Sequence, residues 1–73
     1  FIQINYGVFQ KAKVSIQVFD IQGNLVAKLQ DLNLKPEKYT AEWKPDSNIS
    51  SGHYFVALKI NDVQVHYLKV IKN

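Results

Sequence analysis

Hydrophobic and polar residues alternate along most of this chain with a period of two, and the clearest run is Lys13 to Gly23, KVSIQVFDIQG. There Val14, Ile16 and Val18 alternate with Ser15 and Gln17, so one face is apolar and the other polar. That is the pattern of a half-buried β-strand. The alternation stops at Asp20, and Gln22-Gly23-Asn24 supplies turn chemistry. A second apolar run, Leu25 to Leu29, follows at once, so strand, turn and strand predict a hairpin. The inward face of this third strand, expected over Leu25 to Gln30, is ambiguous, since Leu25, Ala27 and Leu29 compete with Val26. A bulge near the turn reconciles them.

The same reading extends to both ends. Phe1 to Tyr6 alternates Ile2, Ile4 and Tyr6 against Gln3 and Asn5, a first strand. Gly7 to Ala12 is a connection in which Val8 and Phe9 either continue the strand or tuck under an edge. Asp31 to Glu37 is expected to be a loop closed by Pro36. Lys38 to Lys44 is a half-buried strand with Tyr39, Ala41 and Trp43 on one face, Trp43 being the large core anchor. Pro45 to Ser51 is turn-rich, with Ile49 dipping back onto the core. Gly52 to Ile60 places Tyr54, Val56, Leu58 and Ile60 on one face, and Asn61-Asp62 suits a two-residue hairpin turn. Val63 to Lys72 is apolar on both faces: Val65, Tyr67 and Ile71 against Leu68 and Val70. Such a strand is buried on both faces, is bulged, or is an edge used for pairing. Short strands, regular turn signals and no helical period predict an all-β fold, a small Ig-like antiparallel β-sandwich of six to seven strands.

Size and composition narrow the function classes. Seventy-three residues allow one small domain, which buries only about 60% of its unfolded surface and needs an efficient core. A hydrophobic fraction of 47%, rich in β-branched and aromatic residues, supplies one. There is no cysteine, hence no disulfide framework and no thiolate metal site. No apolar run approaches a membrane span and no signal peptide is visible. Because the chain opens on Phe1 directly in a strand pattern, we expect a domain excised from a longer exported polypeptide. The net charge of +3 comes from scattered lysines with no arginine, which argues against nucleic-acid binding. Mild basicity of this kind aids solubility or draws the domain to an anionic partner. His53 and His66 lie some rungs apart on neighbouring strands with no clustered carboxylates, so neither a metal site nor a catalytic triad is expected. Asn48-Ile49-Ser50 fits a glycosylation acceptor, a pattern common by chance.

Four segments in order, VSIQVFDIQGNLVAKL, YTAEW, SSGHYFVALKI and a terminal LKVIKN, resemble the C-terminal sorting domain of the type IX secretion system. In that family a strand ends in an Asp-x-x-Gly turn, a later strand opens Ser-Gly-x-Tyr, and a lysine-bearing strand closes the chain. Asp20 and Gly23 match the first, Ser51, Gly52 and Tyr54 the second, and Lys69, Val70, Ile71 and Lys72 the third. The Asn-Pro-rich opening of the family is missing, and Lys35-Pro36-Glu37 stands where the family often has a glycine. The resemblance implies a non-enzymatic signal without cofactor or metal. It implies that the domain travels with an upstream cargo through the periplasm to the outer-membrane surface or beyond. It further implies capture by an outer-membrane shuttle protein and cleavage by a sortase.

The residues themselves leave alternatives open. Asp20 with Gly23 is a recognition loop or a tight turn with a side-chain cap, and turn chemistry favours the cap. Val14, Ile16, Val18, Gly52 and Tyr54 are expected to be structural, Gly52 by positive φ and Tyr54 by packing inward with its hydroxyl on a backbone partner. The terminal Lys69, Val70, Ile71, Lys72 and Asn73 form a core strand with a frayed end, or a strand offered to a partner; the resemblance favours the partner. Open strand edges also allow weak pairing between two copies. The alternative function is an Ig-like accessory or spacer module of an extracellular enzyme. If it bound glycan, Phe9, Phe19 and Phe55 would be the outward aromatics.

Overall fold

The computed structural model describes residues 2–73; Phe1, the expected start of the first strand, lies outside them. Six strands follow in order: β1 (Ile2–Val8), β2 (Ala12–Asp20), β3 (Leu25–Leu34), β4 (Glu37–Trp43), β5 (Gly52–Ile60) and β6 (Val63–Lys72). All pairings are antiparallel, and the strands form a two-stranded sheet, β1-β4, and a four-stranded sheet, β3-β2-β5-β6. This is the predicted small sandwich, with the four-stranded layer as its broad floor.

β2 is the centre of that floor because its apolar face is unbroken. Val14, Ile16 and Val18 are fully buried between β3 and β5. Opposite them, Val18 pairs with Val56 and Ile16 with Leu58, so the apolar phases of β2 and β5 coincide. Ile4 and Val8 of β1 and Trp43 of β4 close over this floor. Ile49 packs onto the core from the 45–51 loop, as expected.

β3 runs further than its sequence pattern indicated, and β1 takes one of the two readings open at Val8. β1 continues through Val8, which is buried, while Phe9 turns out into solvent at 93% exposure. β3 continues to Leu34, so the expected loop from Asp31 shrinks to Lys35 and Pro36. Ala12 to Ser15 pair in regular register with Leu34 to Asp31, which carries the strand on. Nearer the turn, where a bulge was expected, two register shifts, between Ile16 and Gln17 and between Val18 and Phe19, skip Leu29 and Val26 of β3. Each bulge resets the alternation, so Val26, Ala27 and Leu29 all pack on the core while Leu25 stays outside.

Candidate functional site

The Asp20 turn is built as a side-chain cap. One carboxylate oxygen, Oδ1, accepts the amides of Gln22 at 2.9 Å and Asn24 at 2.8 Å. The other, Oδ2, accepts Nδ2 of Asn24 at 3.3 Å. The backbone closes the same loop: the Asp20 amide donates to the Asn24 carbonyl, and the Gly23 amide to the Asp20 carbonyl. Gly23 sits at φ 87°, where a side chain would be strained. The Asn24 amide is the main cause holding the Asp20 carboxyl below the usual carboxylate range, against a smaller desolvation effect.

Two tyrosines brace the loops that precede their strands. The Tyr54 hydroxyl donates to the Ser50 carbonyl, the backbone partner expected for it, and Gly52 between them takes φ 146°. Tyr39 does the same four residues back, donating to the Lys35 carbonyl at 2.7 Å. The second brace escaped sequence reasoning, although the identical spacing behind a turn was its signal. Tyr6 stacks on Tyr39 at 5.7 Å, and burial is the main cause raising its phenol above its ordinary value.

The Asn61-Asp62 turn has positive φ at both residues, 51° and 66°, as a two-residue hairpin loop requires. It is also tied sideways to β2. The Lys13 amide donates to Asn61 Oδ1 at 3.0 Å, the Asn61 amide to the Lys13 carbonyl at 2.8 Å, and Lys13 Nζ lies 3.6 Å from Asp62.

β6 is neither buried on both faces nor wholly regular; it is an exposed edge with one bulge. It follows β5 in register from Gly52–Lys72 to Leu58–His66, then shifts, leaving Val65 unpaired. The register puts His66, Leu68 and Val70 on the inner face with Leu58, Val56 and Tyr54. Tyr67, Lys69 and Ile71 fall on the outer face with Ala57, Phe55 and His53. Val70 is buried, whereas Tyr67, Leu68 and Ile71 are exposed. Lys72, in the inner phase, donates Nζ to the Ile49 carbonyl and so pins the 45–51 loop. With Ile71 and Asn73 it lines a depression of about 400 Å³ that also touches Ile2, Lys44 and Pro45.

Tertiary pairing brings the two ends of the candidate set together. Asp20 lies opposite Tyr54, and Tyr54 opposite Val70, so the Asp20–Gly23 turn and the terminal stretch share one end of the sheet. In the next row Leu25, Phe19, Phe55 and Lys69 run side by side on the outer face. Phe55 stacks on Tyr67 at 5.3 Å, a neighbour not anticipated for it, so part of its ring face is already used. His53 and His66 stand on opposite faces of the β5–β6 pair, opposite Ile71 and Leu58. No metal-ligating cluster occurs among the described residues.

A family model described as the secretion system C-terminal sorting domain matches residues 1–73, the whole chain. No curated protein and no solved structure matches it.

Proposed function

This chain belongs to the secretion system C-terminal sorting domain family, and on that basis we propose that it rides at the C-terminal end of a longer exported protein and directs that cargo across the outer membrane. The domain is an address label and not a catalyst. A shuttle component of the type IX translocon captures it, and a sortase removes it from the cargo. The observation that carries this reading is the family match over the full length. The terminal strand beside the Asp20–Gly23 turn supports it, since Gly23, Lys69, Ile71 and Asn73 are exposed at that end of the sheet. Val70 is buried there, Lys72 holds the 45–51 loop and Asp20 caps the turn that shapes this end.

The test is export of a periplasmic reporter fused upstream of the chain, in a bacterium with a type IX system. The fusion reaches the cell surface or medium, and removal of Lys69 to Asn73 keeps it in the periplasm. That deletion also removes buried Val70 and the Lys72 contact, so an Ile71→Asp variant, altered at an exposed position, accompanies it. Retention of the unaltered fusion overturns the sorting role. Normal export of both variants overturns the role of the terminal strand.

A further inference from the structure

The two edges of the four-stranded sheet are not equivalent. β3 is interrupted by two register shifts, and its Lys28 pairs with its own Asp31 at 3.3 Å. Bulges and charges of that kind blunt an edge against strand addition. β6 is in unbroken register from His66 to Lys72, contains no proline, and exposes its outer edge. Alongside it, a groove of about 480 Å³ opens between the sheets. Ile4, Tyr6 and Phe9 form one wall, and Val56, Leu58 and Leu68 are among the residues lining the opposite side. The bulge adds Val65 to the same lining.

A strand added beside β6 would lie about 4.8 Å away and turn alternate side chains to opposite faces. Its inward residues would meet the mouth of this apolar groove. Its outward residues would meet Tyr67, Lys69 and Ile71. β6 itself carries Lys69, Lys72 and His66 and no acidic residue. Lys72 is engaged by Ile49, whereas the Lys69 ammonium makes no ion pair or hydrogen bond among the described residues. The Lys59 ammonium, also on the outer face, makes none either.

The geometry points to the His66–Lys72 edge of β6 as a strand-pairing site whose occupant is an extended partner segment, apolar on the groove side and acidic on the Lys69 side. The inference rests on the sorting reading only for the statement that this partner belongs to the secretion machinery. Main-chain pairing supplies the affinity, and the alternation supplies the selectivity. A second copy of the chain is disfavoured as the occupant, because it would bring another β6 with basic residues only.

The test uses the 73-residue chain and three blocked peptides: one alternating valine with glutamate, one alternating valine with lysine, and the glutamate peptide N-methylated at every second residue. Binding is read by fluorescence anisotropy at low salt and by amide exchange. The glutamate peptide is expected to bind about ten-fold more tightly than the lysine peptide and to slow exchange along β6. N-methylation abolishes binding. Lys69→Glu removes the preference for glutamate, Lys69→Gln weakens it, and Lys59→Glu, away from the paired segment, leaves Kd within about two-fold. Failure of the glutamate peptide to bind, equal binding of all three, or protection on β3 instead of β6 overturns the inference. The reporter fusion separates the two levels. Export of the unaltered chain together with normal export of Lys69→Glu discards this edge and keeps the sorting role. Absence of export discards the sorting role and leaves the peptide result standing.

Discussion

Trp43 meets Tyr54 edge-on, with ring centroids 5.2 Å apart and planes at 69°. Among the described residues it is the one aromatic pair that joins the two sheets, the others lying within a sheet. Such a pair contributes about 0.5–1.5 kcal/mol beyond the area it buries. Tyr54 also holds the Ser50 carbonyl, so its ring and its hydroxyl serve different ends of the same corner. Tyr54→Phe keeps the ring and loses the hydrogen bond. The expected cost is about 1 kcal/mol in urea unfolding, with faster amide exchange in the 45–51 loop and little change elsewhere.

The Asp20 cap makes stability depend on pH in a defined direction. Its folded-state pKa is lowered, chiefly by the Asn24 amide. Its contribution is therefore complete above the unfolded carboxylate value and is lost as pH falls through the lower folded value. Asp20→Asn keeps a side-chain oxygen and removes the charge. Thermal melts from neutral to strongly acidic pH should show a shallower acid loss for this variant than for the parent. Equal slopes would assign the acid sensitivity elsewhere.

The hairpin tip separates two kinds of turn residue. Asn61 and Asp62 both have positive φ, but only Asn61 accepts the Lys13 amide. Asn61→Gly relieves the backbone and loses that bond, for an expected net loss of about 1 kcal/mol. Asp62→Gly relieves the same backbone strain and gives up only an exposed ion pair, so it should fall within about 0.5 kcal/mol of the parent. Chemical denaturation of the two variants side by side checks the order.

Lys72→Met preserves the apolar stem and removes the ammonium that holds Ile49. We expect a loss of about 1–2 kcal/mol and faster exchange in the 45–51 loop, measured by hydrogen–deuterium exchange. Unchanged loop exchange would show that Ile49 is held by packing alone.

The centre of the floor has no slack. Ile16 is fully buried on β2, and Ile16→Ala should cost about 2–5 kcal/mol. For a domain of this size that approaches the whole stability. A broad or absent thermal transition by circular dichroism is the expected outcome.

The alternation of Val14, Ile16 and Val18, and of Tyr54, Val56 and Leu58, was sufficient to assign strands and their buried faces, because a period of two is a local property of extended chain. Turn chemistry at Gly23 and at Asn61-Asp62 was legible for the same reason: φ preference belongs to the residue. A bulge near the turn of β3 was legible from the competing phases of Leu25, Val26, Ala27 and Leu29, whereas the length of β3, which of its residues bulge, the position of the bulge at Val65 and the choice of face at Tyr67 were not. Alternation says which side chains share a face and is silent on which strand lies beside them. Only the pairing of β2, β5 and β6 sets the Asp20 turn next to the terminal strand and leaves β6 as the unblunted edge. Those relations come from contacts between residues far apart in the chain, such as Lys13 with Asn61, and no local pattern encodes them.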